Sequence, residues 1–280
     1  MIAVAESKVT ATPPSPSDPT SGPLDYLSAS RLKCFQECRL KFYFRYVERI
    51  PTVTNPALFI GSLVHKILQQ WNLARWRGEP SNLAAMRPVF DEHWMQDQPD
   101  DGIDWGSKKE DAVRDNTWTL LEHYFSATPI PTGEKPEAVE VVVERDLLAH
   151  GLPPLKGVID LVRKGGRIVD FKTAARTPTP GMVEHHNDVQ LGCYALLYRE
   201  ATGHDESGFE LHHLIKTKEP KLVVTPLSPL SADQTRRLLC QMTSYVQGVI
   251  AEDFVPSPGQ HCSWCDYYGQ CRAWKGGASC

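Results

Sequence analysis

The sequence predicts an α/β fold in which a central mixed β-sheet is flanked by helices. Before residue 130, apolar residues recur at helical spacing, as in the segment 58–77. Short segments rich in valine and isoleucine follow from residue 138. Helical and strand patterns then alternate, which is typical of helices packed against a sheet. The 280 residues, 41% of them hydrophobic, suffice to bury a core as one or two domains.

The N-terminal region combines a tail with the first helix. Residues 1–26 are rich in proline, serine and threonine and predict a disordered tail before a folded region over residues 27–274. Ser28 is a typical N-cap. The helix that it begins is predicted to run to about Glu48, because Pro51 ends the pattern.

The remaining elements follow from the periodicity of the apolar residues. Further helices are predicted over residues 58–77, 82–95, 109–126, 188–201 and 231–252. Strands are predicted over residues 138–148, 157–163, 167–171, 208–216 and 221–227. Gly165 and Gly166 are a strong signal for a hairpin between the second and third strands. We therefore expect a helical insertion over about residues 78–130 and a cysteine-rich loop at the C-terminus.

The bulk composition narrows the classes of function. A net charge of −4 does not favour nucleic-acid binding by the whole surface, so any such site must be a local patch. No apolar run reaches the roughly 20 residues that span a bilayer, and the N-terminus is a poor secretion signal. We expect a cytoplasmic protein that does not contact membranes. Its eight cysteines should be reduced thiols or metal ligands.

Two aspartates and a lysine form the most informative motif of the chain. Asp160 ends the apolar run 157–159, and Asp170 is followed by Phe171 and Lys172. If the two strands pair through the glycine turn, cross-strand carboxylates lie about 5 Å apart and can share one divalent cation. The lysine offers a positive charge to a phosphate or an attacking water, so the motif predicts metal-dependent phosphodiester hydrolysis. The alternative is that these aspartates are turn residues.

Three further side chains extend this motif. His65 lies at the edge of the apolar stripe of its helix, where a core histidine is the more common interpretation. An imidazole can nevertheless complete a carboxylate site for Mn²⁺ or Mg²⁺. Gln190 and Tyr194 are four residues apart on a predicted helix and share a face, from which they could orient a lysine or contact a phosphate. Taken alone, a helix surface pair is the simpler interpretation.

Three cysteines near the C-terminus predict a metal centre, because three thiols within ten residues are otherwise hard to explain. They are Cys262, Cys265 and Cys271. A fourth ligand must come from elsewhere, and its candidates are Cys34, Cys38, His261 and Cys280. Zinc accepts either three cysteines and a histidine or four cysteines, whereas an iron–sulfur cluster prefers four cysteines. Cys193 and Cys240 follow helical patterns and are predicted core thiols.

The first helix interleaves basic and aromatic side chains. The basic residues are Arg31, Lys33, Arg39, Lys41, Arg45 and Arg49, and the aromatic residues are Phe42, Tyr43, Phe44 and Tyr46. Such a helix can follow a phosphate backbone and stack bases. An amphipathic helix with a solvated basic face is an equally good interpretation.

Together, these motifs resemble the PD-(D/E)xK nuclease superfamily, in its RecB/AddB-type branch with an iron–sulfur cluster, which includes the small nucleases of CRISPR adaptation. The resemblance covers about residues 27–274. Its motifs lie at residues 27–32, 38–46, 61–65, 157–160, 170–172 and 190–194 and at the three C-terminal cysteines. Each motif is weak alone, and their shared order and spacing make the match specific. The resemblance implies a restriction-endonuclease-like core.

The resemblance also implies roles for the residues of the motif. His65, Asp160 and Asp170 would bind Mg²⁺ or Mn²⁺, with the backbone carbonyl of Phe171 as a further ligand. Lys172 would position or activate the attacking water and steady the charge that develops on the phosphate.

Residues around the metal would complete the catalytic site. Gln190 and Tyr194 would support it and contact DNA. An acidic residue from the preceding strand sometimes joins such sites, and the sequence leaves Glu140 and Glu144 equally open.

The cysteines would hold a [4Fe–4S] cluster that ties region 34–46 to region 260–274. The implied ligands are Cys38, Cys262, Cys265 and Cys271. Cys38 is favoured over Cys34 because it opens the matching motif, although Arg39 stands where family members often carry proline. Zinc at the cysteine site is the alternative.

The expected function is that of a metal-dependent deoxyribonuclease. We expect an exonuclease that acts on single-stranded DNA ends in DNA repair, recombination or a related pathway, with a helicase or an integrase as its partner. The alternative is a catalytically silent DNA-binding or scaffold module. A module without chemistry would not need His65, Asp160, Asp170 and Lys172 together.

Overall fold

The computed structural model of the chain describes residues 21–276, which form two compact units. The sheet unit contains Thr52–Arg145 and Gly157–Cys240. The cysteine unit contains the described residues of 21–51, 146–156 and 241–276. Within residues 21–276, no helix combines the length and the apolar character needed to cross a membrane.

A five-stranded mixed sheet forms the centre of the sheet unit. Its strands lie in chain order: β1 (Ala138–Arg145), β2 (Leu155–Arg163), β3 (Arg167–Ala174), β4 (Gly208–Ile215) and β5 (Lys221–Leu227). The pairs β2–β3 and β4–β5 are antiparallel, whereas β3 and β4 are parallel. The predicted α/β class with a mixed sheet and flanking helices is therefore confirmed.

The helices predicted from the periodicity follow in order, with differences at their ends. The C-terminal segment predicted as a cysteine-rich loop is partly helical, because it contains a 3₁₀ turn over Gln260–Trp264 and an α-helix over Tyr268–Ala273. The α-helices are α1 (Ala29–Glu37), α2 (Arg39–Phe42), α3 (Pro56–Arg77), α4 (Leu83–Gln96), α5 (Glu110–Ala127), α6 (Pro180–Thr202), α7 (Ala232–Ile250) and α8 (Tyr268–Ala273). α6 begins eight residues before the predicted position 188. It connects the parallel strands β3 and β4, which need a long crossover.

The hairpin between β2 and β3 sets the register of the central motif. Leu161 pairs with Val169, so the next position along the same register places Asp160 across from Asp170. The turn glycines adopt positive φ angles, and a Cβ on Gly166 would lie 2.4 Å from the hydroxyl of a tyrosine. This turn therefore requires glycine and fixes which residues of the two strands face each other.

The two faces of β3 have different surroundings. Val169 and Phe171 belong to an apolar core that is built largely from the helices α3, α4 and α5. Because side chains alternate along a strand, Asp170 and Lys172 point to the opposite face. Gln190 of α6 bonds both of them there. The alternation thus separates the core from the polar site.

The predicted single helix over residues 28–48 is wrong at its centre. Ser28 caps α1 as expected, through a 3.3 Å hydrogen bond from the N–H of Arg31. Cys38 then adopts an extended backbone with φ −163° and separates α1 from α2. The N–H of Leu40 donates to the carbonyl of Val255, so a tertiary contact within the cysteine unit overrides a continuous helical pattern. A π-helical turn over Tyr43–Val47 follows.

Three of the four aromatic side chains of this region form core and do not offer a surface for stacking bases, whereas Tyr43 is partly exposed. Phe42, Phe44 and Tyr46 are all buried. Arg31 is buried too, and its guanidinium donates to the carbonyls of three residues between 22 and 26. Of the tail predicted over 1–26, residues 1–20 lie outside the described residues, whereas 22–26 are held by these bonds.

Candidate active site

The sheet unit brings together all of the predicted residues of the catalytic motif. α3 contributes His65, β2 contributes Asp160, β3 contributes Asp170, Phe171 and Lys172, and α6 contributes Gln190 and Tyr194. The hydrogen bonds and ion pairs among them define the geometry of the site.

Asp170 is the most buried carboxylate of the group, with 1% of its side chain exposed. Its Oδ1 accepts a 2.9 Å hydrogen bond from Gln190 Nε2. Its Oδ2 lies 2.8 Å from Lys172 Nζ, but it receives no hydrogen bond of good geometry. A buried carboxylate oxygen in this state can still accept a further ligand.

Gln190 links the lysine to the carboxylate. Lys172 Nζ donates a 2.7 Å hydrogen bond to Gln190 Oε1, and Gln190 Nε2 also donates to the hydroxyl of Tyr194 at 2.9 Å. Burial and the negative charges of Asp160 and Asp170 hold the pKa of Tyr194 well above its usual value. The tyrosine therefore stays neutral and serves as a fixed acceptor for the glutamine.

Asp160 forms the other side of the site. Its Oδ2 accepts a 3.2 Å hydrogen bond from the N–H of Phe171 and lies 3.4 Å from His65 Nδ1. Burial, with a smaller contribution from the charge of Asp170, raises the pKa of Asp160 to about 6, although His65 acts in the opposite direction. Two carboxylates and an imidazole thus lie close enough to influence one another's charge.

The structure distinguishes the two glutamates that the sequence left open. Glu140 is half-buried, and its Oε2 accepts a 3.0 Å hydrogen bond from Gln69 Nε2. Burial raises the pKa of Glu140, while the charges of His65 and Lys66 oppose this shift. Its φ of +46° is unusual within a strand. Glu144 is exposed, so Glu140 is the acidic residue that stands near His65.

One residue beside the site was missed by the sequence-based reasoning. His213 of β4 is the register partner of Lys172 in the parallel ladder. It is buried, and its Nδ1 has no hydrogen-bond partner. The available signal was the pair of consecutive histidines, His212 and His213, within a strand that is otherwise almost entirely apolar.

The side chains of His65, Asp160 and Asp170 are donors that fit a hard divalent cation. Within residues 21–276, no group of three histidine, cysteine, aspartate or glutamate side chains is already arranged to hold a metal ion. Carboxylate oxygens suit Mg²⁺ and Mn²⁺, and an imidazole suits transition metals. Asp170 Oδ2 is buried without a hydrogen bond. A cation between Asp160 and Asp170 would satisfy this oxygen and offset the charge of both carboxylates.

The cysteine unit gathers four of the predicted thiols around one small cavity of about 50 Å³. They are Cys38, Cys262, Cys265 and Cys271. Burial raises the pKa of Cys271, and the other three cysteines raise it further, as expected for neighbouring thiols. Backbone N–H groups of Ser257 and Gly259 donate to the sulfurs of Cys38 and Cys262 at 3.4 and 3.5 Å. Such bonds tune metal-bound thiolates, so the group fits a metal centre.

The other ligand candidates are placed differently. Cys34 is buried outside this cavity, and burial raises its pKa to about 11, which disfavours a thiolate. His261 does line the cavity. Cys280 lies outside the described residues.

Comparison with one solved structure supports the fold. A candidate exonuclease from Eubacterium rectale is 15% identical, with a TM-score of 0.56, over 92% of this chain and 94% of that chain. A second structure, SSO0001, is 16% identical over 90% of this chain and 96% of that one, with a TM-score of 0.35. No curated protein matches the sequence at a significant level.

Comparison with protein families covers most of the chain. The model of the PD-(D/E)XK nuclease superfamily matches residues 26–272. This range includes the aspartate–lysine motif, the histidine of α3 and the glutamine and tyrosine of α6. The chain belongs to the PD-(D/E)XK nuclease superfamily.

Proposed function

We propose that this protein is a Mg²⁺- or Mn²⁺-dependent deoxyribonuclease that degrades DNA from single-stranded ends. The observation that carries this proposal is the bridge by which Gln190 holds both Lys172 and the buried Asp170, with Asp160 at the neighbouring register position. The structural likeness to a candidate exonuclease supports the exonucleolytic mode. The pathway that we infer is DNA repair, recombination or a related DNA-processing route.

The residues of the site divide the chemistry among them. A cation held by His65, Asp160, Asp170 and the carbonyl of Phe171 would supply Lewis-acid activation of water and stabilise charge on the scissile phosphate. Lys172 Nζ uses one N–H for Gln190 and lies beside Asp170, which leaves a donor for the attacking water or a phosphate oxygen.

The neutral partners keep this lysine in place. Gln190 fixes the direction of the Lys172 ammonium through a short hydrogen bond, and Tyr194 fixes Gln190 in turn. A preorganised positive charge of this kind favours the transition state, in which negative charge grows on the phosphate.

For the cysteine unit, we propose a [4Fe–4S] cluster with a structural role, with zinc as the alternative metal. The support is a single small cavity lined by four cysteines and mostly apolar neighbours. Anaerobic purification followed by iron, sulfide and zinc analysis separates the two. A brown protein that absorbs near 400 nm with about four irons per chain supports the cluster, whereas a colourless protein with stoichiometric zinc contradicts it.

The proposed substrate class is tested with DNA of matched sequence and different topology. The anaerobically purified protein is incubated with linear single-stranded, circular single-stranded and blunt duplex DNA, with Mg²⁺ or Mn²⁺. We expect the linear single strand to be degraded and the circle to survive. Cleavage of the circle at the same rate would contradict the exonuclease proposal. Preference for the blunt duplex would contradict the single-strand proposal. Activity on duplex DNA only after a helicase is added would support a partner of that class.

A further inference from the structure

Two adjacent histidines of β4 lie on opposite faces of the sheet, and they differ in how their nitrogens are satisfied. His212 is the register partner of Phe171, and His213 is the register partner of Lys172. Side chains of paired residues in neighbouring strands lie on the same face. His212 therefore faces the apolar core, whereas His213 shares the face of the catalytic lysine.

His212 is a structural residue. Its Nδ1 lies 3.0 Å from the hydroxyl of Tyr124, and its Nε2 lies 3.1 Å from Glu210 Oε2. Its ring also packs against Phe171 with centroids 5.8 Å apart. Both nitrogens are used, so this histidine has no hydrogen-bonding capacity left for a substrate.

His213 has capacity that the fold does not use. The residue is 6% exposed, and its Nδ1 is buried without a hydrogen-bond partner. An orphaned nitrogen in a buried site is destabilising, so its retention calls for an explanation. Burial first and the charge of Lys172 second lower the pKa of His213, so the ring is a neutral group. A neutral imidazole offers one lone pair and adds no charge that would repel an ammonium.

The contacts of Lys172 show why such an acceptor matters. The ammonium lies 2.8 Å from Asp170 Oδ2, the same oxygen that is open to a cation. If that oxygen is engaged by a cation, Lys172 loses an ionic partner and keeps only the neutral Gln190. A second neutral acceptor at the neighbouring register position would hold the ammonium away from the carboxylate.

We propose that His213 is a positioning residue for Lys172, and that its unpartnered Nδ1 serves as the second neutral acceptor of the lysine ammonium when Asp170 is engaged in metal binding. This assignment rests on the proposed nuclease function. It concerns a residue outside the aspartate–lysine motif and assigns to it no contact with the reacting atoms.

The test uses two substitutions of His213, of which one keeps a hydrogen-bond acceptor and the other keeps only a side chain of similar volume. His213→Asn keeps an oxygen close to the position of Nδ1, whereas His213→Leu keeps much of the volume and removes the acceptor. We expect His213→Leu to lower kcat on single-stranded DNA about tenfold, with KM unchanged, and His213→Asn to stay within about threefold of wild type. Calorimetric titration with Mn²⁺ should show weaker binding to His213→Leu, because Lys172 then competes for Asp170, and near-normal binding to His213→Asn.

A double-substitution cycle identifies the route of the effect. If His213 acts through the lysine, His213→Leu should have no further effect in a Lys172→Ala background. If the losses in kcat from His213→Leu and Lys172→Ala add in the double variant, the proposal is overturned. A His213→Leu protein that cuts DNA and binds Mn²⁺ like wild type would also overturn it. Equal impairment of both His213 variants with a lowered Tm would also overturn it, because this would show a structural role. A wild-type protein without metal-dependent cleavage would overturn the proposed function itself, and this assignment with it.

Discussion

The ammonium of Lys172 donates a 2.7 Å hydrogen bond to the side-chain oxygen of Gln190, eighteen positions later in the chain. The nitrogen of the same amide donates to Asp170, so one side chain of α6 contacts both polar residues of the motif on β3. This bridge fixes the distance between the positive and negative groups of the site. It gives the ammonium of Lys172, the proposed catalytic lysine, a defined direction before any substrate is present.

Removing the bridge should therefore impair catalysis more than it impairs folding. We expect Gln190→Leu to lower kcat at least about tenfold, because the charged ammonium of Lys172 loses its hydrogen bond to the Gln190 amide. Tyr194→Phe is the matched control, since it removes only the hydroxyl that accepts from Gln190. Single-turnover cleavage of end-labelled DNA measures both rates. We expect a smaller loss for Tyr194→Phe, and a Gln190→Leu protein that cuts at the wild-type rate would show that the lysine is not held through the glutamine.

Asp160 should make the metal-free protein less stable at neutral pH than a neutral residue would. The folded pKa is raised to about 6 by burial and by Asp170, so the ionised carboxylate opposes folding above that pH. We expect Asp160→Asn to raise the Tm of the metal-free protein at pH 8 while abolishing cleavage. The Tm difference should be full above about pH 6, shrink as the pH falls, and vanish below about pH 4, where Asp160 is protonated in both the folded and the unfolded state. A lower Tm for Asp160→Asn at pH 8 would contradict this account.

The affinity for Mn²⁺ should also depend on the ionisation of Asp160. Mn²⁺ requires ionised Asp160, so its affinity should fall as the pH drops below about 6. At pH 8, Mn²⁺ at about 100 times its Kd should stabilise the wild type by about 2.7 kcal/mol. Thermal melts with and without Mn²⁺ measure this shift, and Asp170→Asn serves as the control that should lose most of it. An equal shift in both proteins would place the ion elsewhere.

The cysteine site offers a matched pair of substitutions. Cys38 lines the cavity with the three C-terminal cysteines, whereas Cys34 lies one helical turn away and outside it. We expect Cys38→Ser to lose bound metal and Cys34→Ser to keep it. Metal analysis after anaerobic purification measures the difference. Equal metal content in the two variants would contradict the assignment of Cys38 as the fourth ligand.

Gly157 of β2 is required by the packing of this strand against α6 rather than by the chemistry of the site. A Cβ on Gly157 would lie 2.6 Å from Leu197 Cδ1 of α6. We expect Gly157→Ala to lower the free energy of unfolding by about 1–3 kcal/mol. Gly181→Ala is the control, because a Cβ there meets no atom within 4 Å and alanine favours a helix. Urea unfolding compares the two, and equal stability of both variants would contradict this explanation.

The sequence could predict those parts of the molecule that depend on local signals. The hairpin follows from two glycines, and the sequence predicts that Asp160 and Asp170 approach each other if its strands pair, whereas the register that sets them opposite each other comes from the structure. The spacing of Gln190 and Tyr194 likewise predicts a shared helix face, and the hydrogen bond between them lies on it.

Other features depend on contacts that are distant in sequence. The break at Cys38 is invisible to helix propensity, because it depends on a hydrogen bond between Leu40 and Val255. The choice of Glu140 over Glu144 depends on the burial of Glu140 beside α3. The sequence does not distinguish these two strand positions. His213 becomes informative only once the parallel pairing of β3 and β4 places it beside Lys172.

Metal-dependent cleavage by variants of Asp170 and Lys172 tests the central claim most directly. End-labelled single-stranded DNA is incubated with wild type, Asp170→Ala and Lys172→Ala, in Mg²⁺, in Mn²⁺ and in EDTA, after melts have shown that all three proteins are folded. We predict cleavage by the wild type in either metal, none in EDTA, and rates at least about 100-fold lower for both variants. Equal, metal-independent behaviour of the three proteins would contradict the account and favour a DNA-binding module without chemistry.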